Sequence, residues 1–220
     1  MTGSRSRSVG KSFSYLALGD SLTAGVGAFG SGGFVRAYGG LAGEALNRPV
    51  ETGVIGIPGA TTGELRMLLE RSPQLRGMAR EAQLLTLTAG GNDLIDAAKR
   101  FAADRDTGRL AAALERCHED YAALLQALRR LKSDGSGPYV VRAALLYNPL
   151  PGVPEAADWV KRCNRLLGSL AGGSVKLASL YGLFEGRERE LLSADGIHPN
   201  AAGYRVIAGQ LHRLGYGPLA

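Results

Sequence analysis

The sequence predicts an α/β protein in which layers of helix cover a mainly parallel β-sheet. Three observations carry this. Short β-rich runs alternate with longer helical patterns along the whole chain. Those runs are mostly continuous in apolar residues, as strands covered on both faces are. No internal repeat or linker divides the chain. Its 220 residues suit one domain with a full core, and 45% apolar against 21% charged residues is the balance of a folded chain.

The elements follow in order. Residues Phe13–Gly19 make the first strand, apolar until the glycine that ends it. Helix is expected over Phe34–Leu46, then strand over Val50–Ile57, with Pro58 and Gly59 turning the chain into a helix over Thr62–Leu69. A third strand, Leu84–Thr88, precedes Gly108–Lys132, where Ala, Leu and Arg recur at helical spacing. Strand Tyr139–Leu146, helix Glu155–Leu170, strand Val175–Leu180 and helix Ala201–Leu214 complete the series. Residues 1–12, with Arg5, Arg7 and Lys11 among serines and glycines, read as a flexible tail ahead of a single domain over 13–220.

The formal net charge is +6, and that tail supplies three of the positive charges. The rest are spread over helices that also carry acids, with no basic stripe or aromatic-interleaved patch, so nucleic acid is not an expected partner. No apolar run approaches the ~20 residues that cross a bilayer, so stable membrane insertion is not expected either. The basic N-terminus lacks an apolar segment behind it, which makes the cytoplasm the default location. Cys117 and Cys163 fall in amphipathic helices at a spacing that matches no metal motif, and read as buried reduced thiols.

In open parallel sheets, chemistry collects at the carboxyl ends of the strands. After the first strand stands Gly19-Asp20-Ser21-Leu22, where Ser21 is either a helix N-cap or a nucleophile on a strand-to-helix turn. After the second comes Pro58-Gly59-Ala60-Thr61, which read alone is an ordinary loop with a threonine cap. After the third, Gly90-Gly91-Asn92-Asp93 offers a side-chain amide able to meet an oxyanion, or else an Asn or Asp cap. Beyond the fifth strand, Asp195 precedes His198 by three residues across a glycine turn. Such a carboxylate can fold back onto Nδ1–H, fix the tautomer and leave Nε2 as a base. His118 and His212 lie in helical patterns without such a partner.

Two other motifs are excluded. Gly25, Gly27 and Gly30 spell G-x-G-x-x-G, but a dinucleotide fingerprint begins directly after its strand, where Asp20 would here repel a pyrophosphate. No serine satisfies the G-x-S-x-G of the α/β-hydrolase elbow. Gly25–Gly33 instead reads as a pliable loop beside the site, with Phe29 and Phe34 as acyl contacts or core residues. Its only bulky apolar members are Val26 and Phe29, too few for a lid, and Tyr147–Pro151 is a short wall stiffened by prolines. Loop by loop, this points to an open, shallow crevice with few aromatic contacts.

With four motifs in order, the sequence resembles the GDSL family of SGNH hydrolases. GDSL stands at 19–22, the second-block glycine at 59, GGND at 90–93 and DGIHPN at 195–200. The resemblance implies a three-layer, flavodoxin-like fold of five parallel strands flanked by helices. It also implies a serine hydrolase that cleaves carboxylic esters through an acyl-enzyme, with a small-molecule ester as its partner. Ser21 would be the nucleophile, His198 the base and then the acid, and Asp195 its orienting group. The oxyanion hole would comprise the Ser21 and Gly59 backbone N–H groups and the Asn92 side chain, with neither metal nor organic cofactor needed. Acyltransferase, thioesterase and carbohydrate deacetylase activities use the same groups, and a non-catalytic binding domain would keep only the fold. One departure is Val54, which stands where the family often has asparagine.

Overall fold

Strand β1 (Phe13–Gly19) is the spine of the molecule, buried at six of its seven positions. The computed structural model describes residues 11–133 and 137–220. Most of the expected tail therefore lies outside the described residues. Lys11 and Ser12, at its end, accept hydrogen bonds on their backbone carbonyls from the Arg48 guanidinium.

Among the described residues, β1 joins β2 (Val50–Gly56), β3 (Leu84–Thr88), β4 (Val140–Ala144) and β5 (Val175–Ala178) in one parallel sheet of order β2-β1-β3-β4-β5. This is the expected flavodoxin-like order. From β1 the chain first moves to one side to form β2, then crosses back to form β3 on the other. That reversal opens a crevice at the carboxyl ends of β1 and β3.

Helices fill both faces. One begins with α1 (Ser21–Ala24) and α2 (Gly33–Leu46), and the other holds α3 (Thr62–Arg71), α4 (Pro73–Glu81), α5 (Gly91–Asp104), α6 (Thr107–Ser133) and α7 (Pro154–Gly168). The short α8 (Tyr181–Phe184) and α9 (Glu188–Leu191) lead to α10 (Ala201–Arg213), which packs beside α2. Two apolar clusters result. Leu65, Leu69, Tyr121, Leu124 and Leu167 pack on one face of the sheet, and Phe34, Tyr38, Tyr204 and Ile207 on the other. No helix among the described residues is long and apolar enough to cross a membrane.

The expected strands are all present, with ends that differ for identifiable reasons. The fourth was expected to run to Leu146 but ends at Ala144. The Asn164 side chain of α7 accepts from the Leu146 N–H at 2.9 Å and donates to its carbonyl at 2.8 Å, taking the place of a neighbouring strand. Helices α4 and α5 were not anticipated. The first is started by a Ser72 cap ahead of Pro73. The second is hidden in sequence by its two leading glycines, the first of which takes a φ of 98° as the N-cap.

Candidate active site

The turn after β1 is built by close packing. A Cβ on Gly19 would lie 2.2 Å from the Thr88 Oγ1, and one on Gly56 2.4 Å from the Ala24 nitrogen. Glycine at both positions lets β1, β2, β3 and α1 meet at this point. Asp20, and not Ser21, caps α1: its carboxylate accepts the Leu22 N–H at 3.0 Å. Thr88 Oγ1 donates to the same Asp20 oxygen at 2.8 Å and lies 2.8 Å from the Thr23 hydroxyl. Burial raises the Asp20 pKa, against the opposing pull of the Thr88 and Leu22 hydrogen bonds. Ser21 is thereby the first residue of α1, so its N–H has no intrahelical acceptor.

The Asp195–His198 loop does not follow β5 directly, as the sequence suggested; α8 and α9 intervene. The loop is closed by Ser193 N–H donating to the His198 carbonyl at 2.7 Å and by an isolated bridge between Leu192 and Pro199. Asn200 fastens its far side, capping α10 through Ala202 and Gly203 and donating to the carbonyls of Glu190 and Leu192. Within the loop, one Asp195 oxygen accepts from the Ile197 and His198 backbones and the Ser193 hydroxyl, each at 2.9 Å. The other lies 2.6 Å from His198 Nδ1. Burial pushes the Asp195 pKa up, but the bonds from the His198 ring, the two backbone N–H groups and Ser193 win. They hold it well below the usual carboxylate range.

His198 Nε2 lies 2.9 Å from Ser21 Oγ. The expected serine, histidine and aspartate therefore meet in one hydrogen-bonded row, joining residues 177 positions apart in the chain. His118 and His212 sit elsewhere, against Ser169 and Tyr216.

The three expected oxyanion donors differ in how they are held. Asn92 Nδ2 donates to the Ala60 carbonyl at 2.8 Å, which uses one amide hydrogen and fixes the side chain. Asp93, beside it, accepts from the Thr62 N–H and hydroxyl at 2.9 Å each, locking α5 to the start of α3. Gly59 has a φ of 84°, a conformation open to glycine, and a Cβ there would meet nothing within 4 Å. Its glycine is a backbone requirement, not a packing one. Within the described residues the Gly59 N–H has no hydrogen-bond acceptor.

Several supporting residues were missed in the sequence. Asp20 could have been found, since Asp directly before a helix start is a cap signal. The roles of Thr88 and Ser193 have no local signal. Tyr147 donates to the Ile197 carbonyl at 2.7 Å and stacks on Phe184, with centroids 4.3 Å apart. Phe34 is core, stacked on Tyr204, so the acyl-contact alternative falls for that residue; Phe29 is exposed. Val54, in place of the common asparagine, faces solvent on the edge strand.

Cys117 and Cys163 are free and buried, and their mutual hydrogen bond together with burial pushes the Cys117 thiol up. Among the described residues no three His, Cys, Asp or Glu side chains gather as a metal site. A groove of about 860 Å³ lies between α2 and β2, and Ser21, Asp195 and His198 do not line it.

Residues 17–206 match the GDSL-like Lipase/Acylhydrolase family. The chain is 35% identical over 207 residues to the spore germination lipase LipC of Bacillus licheniformis, covering 93% of this chain and 97% of that protein. It superposes on the crystal structure of the lipase Lip_vut3 from a goat rumen metagenome with a TM-score of 0.90 at 35% identity, covering 94% of this chain and 100% of that one. The acetylxylan esterase Axe2 of Geobacillus stearothermophilus shares the fold at a TM-score of 0.69 and 17% identity, over 96% and 97% of the two chains. The chain belongs to the GDSL-like lipase and acylhydrolase family, and is a serine hydrolase of carboxylic esters.

Proposed function

We propose that Ser21 is the nucleophile of this ester hydrolase and that His198 and Asp195 complete its triad. The observation that carries the reading is the 2.9 Å approach of His198 Nε2 to Ser21 Oγ, with Asp195 on the opposite ring nitrogen. Ser21 Oγ attacks the ester carbonyl carbon while its proton passes to His198 Nε2. Asp195 accepts the Nδ1–H, holds the ring in the productive tautomer and stabilises the imidazolium that forms. The carbonyl oxygen, now an oxyanion, is met by the Ser21 and Gly59 N–H groups and by the second amide hydrogen of Asn92.

Collapse of the tetrahedral intermediate breaks the bond to the alcohol, which leaves with the proton held by His198. A water molecule then attacks the acyl-serine, with His198 as its base, and the acid is released. The buried Asp20–Thr88–Thr23 network stands behind this sequence as support for the turn that carries Ser21. The test is Ser21→Ala assayed on dissolved p-nitrophenyl esters. Hydrolysis is lost while the far-ultraviolet spectrum is kept; near-normal turnover overturns the assignment.

A further inference from the structure

Strand β2 is the outer strand of the sheet, and its far edge pairs with no other strand among the described residues. It lacks the devices that usually blunt such an edge: Val50–Gly56 holds no lysine and no proline, and its register against β1 runs without a bulge. Grooves flank this edge on both faces of the sheet. One, of about 860 Å³, runs between β2 and α2, with Thr52 and Val54 on its wall. The other, of about 370 Å³, is lined by Val54, Leu68, Leu75 and Met78 beside α3 and α4. Val54, between the two, is 48% exposed.

Helix α2 presents to the first groove an exposed row one turn apart: Arg36, Gly40 and Glu44. Nothing within this chain requires glycine at position 40. A Cβ there would meet nothing within 4 Å, and glycine costs about 1 kcal/mol against alanine in a helix interior. What it permits is the close approach of another backbone. On either side of it, the Arg36 and Glu44 side chains make no hydrogen bond or ion pair among the described residues. The neighbouring charges are already engaged. Arg48 donates to the Lys11 and Ser12 carbonyls, and Glu51 accepts from the Ser12 hydroxyl.

We propose that a second copy of this chain docks here, related by a two-fold axis that crosses the sheet edge beside Gly40. Such a rotation reverses both elements at once. It sets α2 antiparallel to its counterpart, with Gly40 against Gly40 and Arg36 of each copy opposite Glu44 of the other. It also brings the two β2 edges together antiparallel, where each supplies the N–H and C=O groups that the other lacks. One axis serves both because the elements lie side by side: a Cβ on Gly39 would be 3.6 Å from Thr52 Oγ1, and one on Gly43 3.1 Å from Val50 Cγ2. Charge selects the occupant. Opposite charges stand four residues either side of Gly40, so the surface is complementary to itself. Ser21, Asp195 and His198 lie outside the groove, and both catalytic crevices stay open.

Sedimentation velocity on the full chain, from about 1 to 100 µM, tests this. The chain sediments as a dimer at the upper end of that range. Arg36→Glu sets like charges against each other at both ends of the seam and raises the dissociation constant of the dimer by about tenfold or more. Adding Glu44→Arg restores opposite pairs and returns the constant to within about threefold of wild type. Gly40→Lys fills the point of closest approach, improves helix propensity and leaves monomer. Hydrolysis of dissolved p-nitrophenyl esters and the far-ultraviolet spectrum stay at the wild-type level in all three variants, which separates loss of the interface from loss of the fold. A chain monomeric throughout the range overturns the proposal, including one whose edge instead takes up an extended peptide. So does a dimer that Arg36→Glu and Gly40→Lys leave intact, or an Arg36→Glu defect that Glu44→Arg does not repair.

Discussion

The Thr88 hydroxyl, at the end of β3, donates a 2.8 Å hydrogen bond to the buried carboxylate of Asp20, in the turn that carries Ser21. One bond thus joins the two strand ends between which the crevice opens. Thr88→Val keeps the shape and removes the donor to a buried acceptor, which costs about 2 kcal/mol. A fall in Tm of roughly 4 to 8 °C is expected in thermal melts, and an unchanged Tm would show that the bond contributes nothing.

The same carboxylate gives stability a pH dependence of definite sign. Burial raises the folded-state pKa of Asp20. Stability from the protonated form is therefore present below the unfolded value of about 3.9 and is lost as pH rises through the raised folded value. Asp20→Asn keeps an acceptor for Leu22 but never ionises. The Tm of the variant minus that of wild type should grow as pH is raised from 4 to 7. A difference that stays flat would contradict a raised pKa.

Asn92 is held by Ala60 with one amide hydrogen to spare. Asn92→Ala should lower kcat by roughly 10²-fold or more, with a smaller change in KM, because the donor acts most strongly once the carbonyl oxygen has become an oxyanion. Steady-state kinetics on one dissolved ester decide the matter: a raised KM at constant kcat would assign Asn92 to ground-state binding.

Asp195 stays ionised far below neutrality, so it adds no limb of its own to the pH profile near neutrality. Its carboxylate lies 2.6 Å from His198 Nδ1 and holds the ring in the tautomer that the proposed mechanism uses. Asp195→Asn should lower kcat, by less than His198→Ala does, with little change in KM. Steady-state kinetics on one dissolved ester check this, and wild-type kcat in the variant would separate Asp195 from the base.

Much of this site is legible in the sequence because its motifs mark strand ends. Gly19-Asp20-Ser21 closes β1, Gly90-Gly91-Asn92 follows β3, and Asp195 and His198 are close enough in sequence to pair within one loop. What stays hidden depends on contacts between distant segments. Thr88 reads as an ordinary strand residue until Asp20 and Thr23 are placed against it. Helix α5 is masked because its glycine start suppresses the helical pattern, and the early end of β4 depends on Asn164, 18 residues away from Leu146.

The central claim is that Ser21 Oγ, activated by His198, is the atom that carries the acyl group. The most direct measurement is peptide-resolved mass spectrometry after reaction with a serine-directed organophosphate, run on wild type, Ser21→Ala and His198→Ala. One adduct is expected on wild type, on Ser21, with none on Ser21→Ala and much slower labelling of His198→Ala. An adduct on another residue, or labelling of Ser21 at full rate without His198, would contradict the claim.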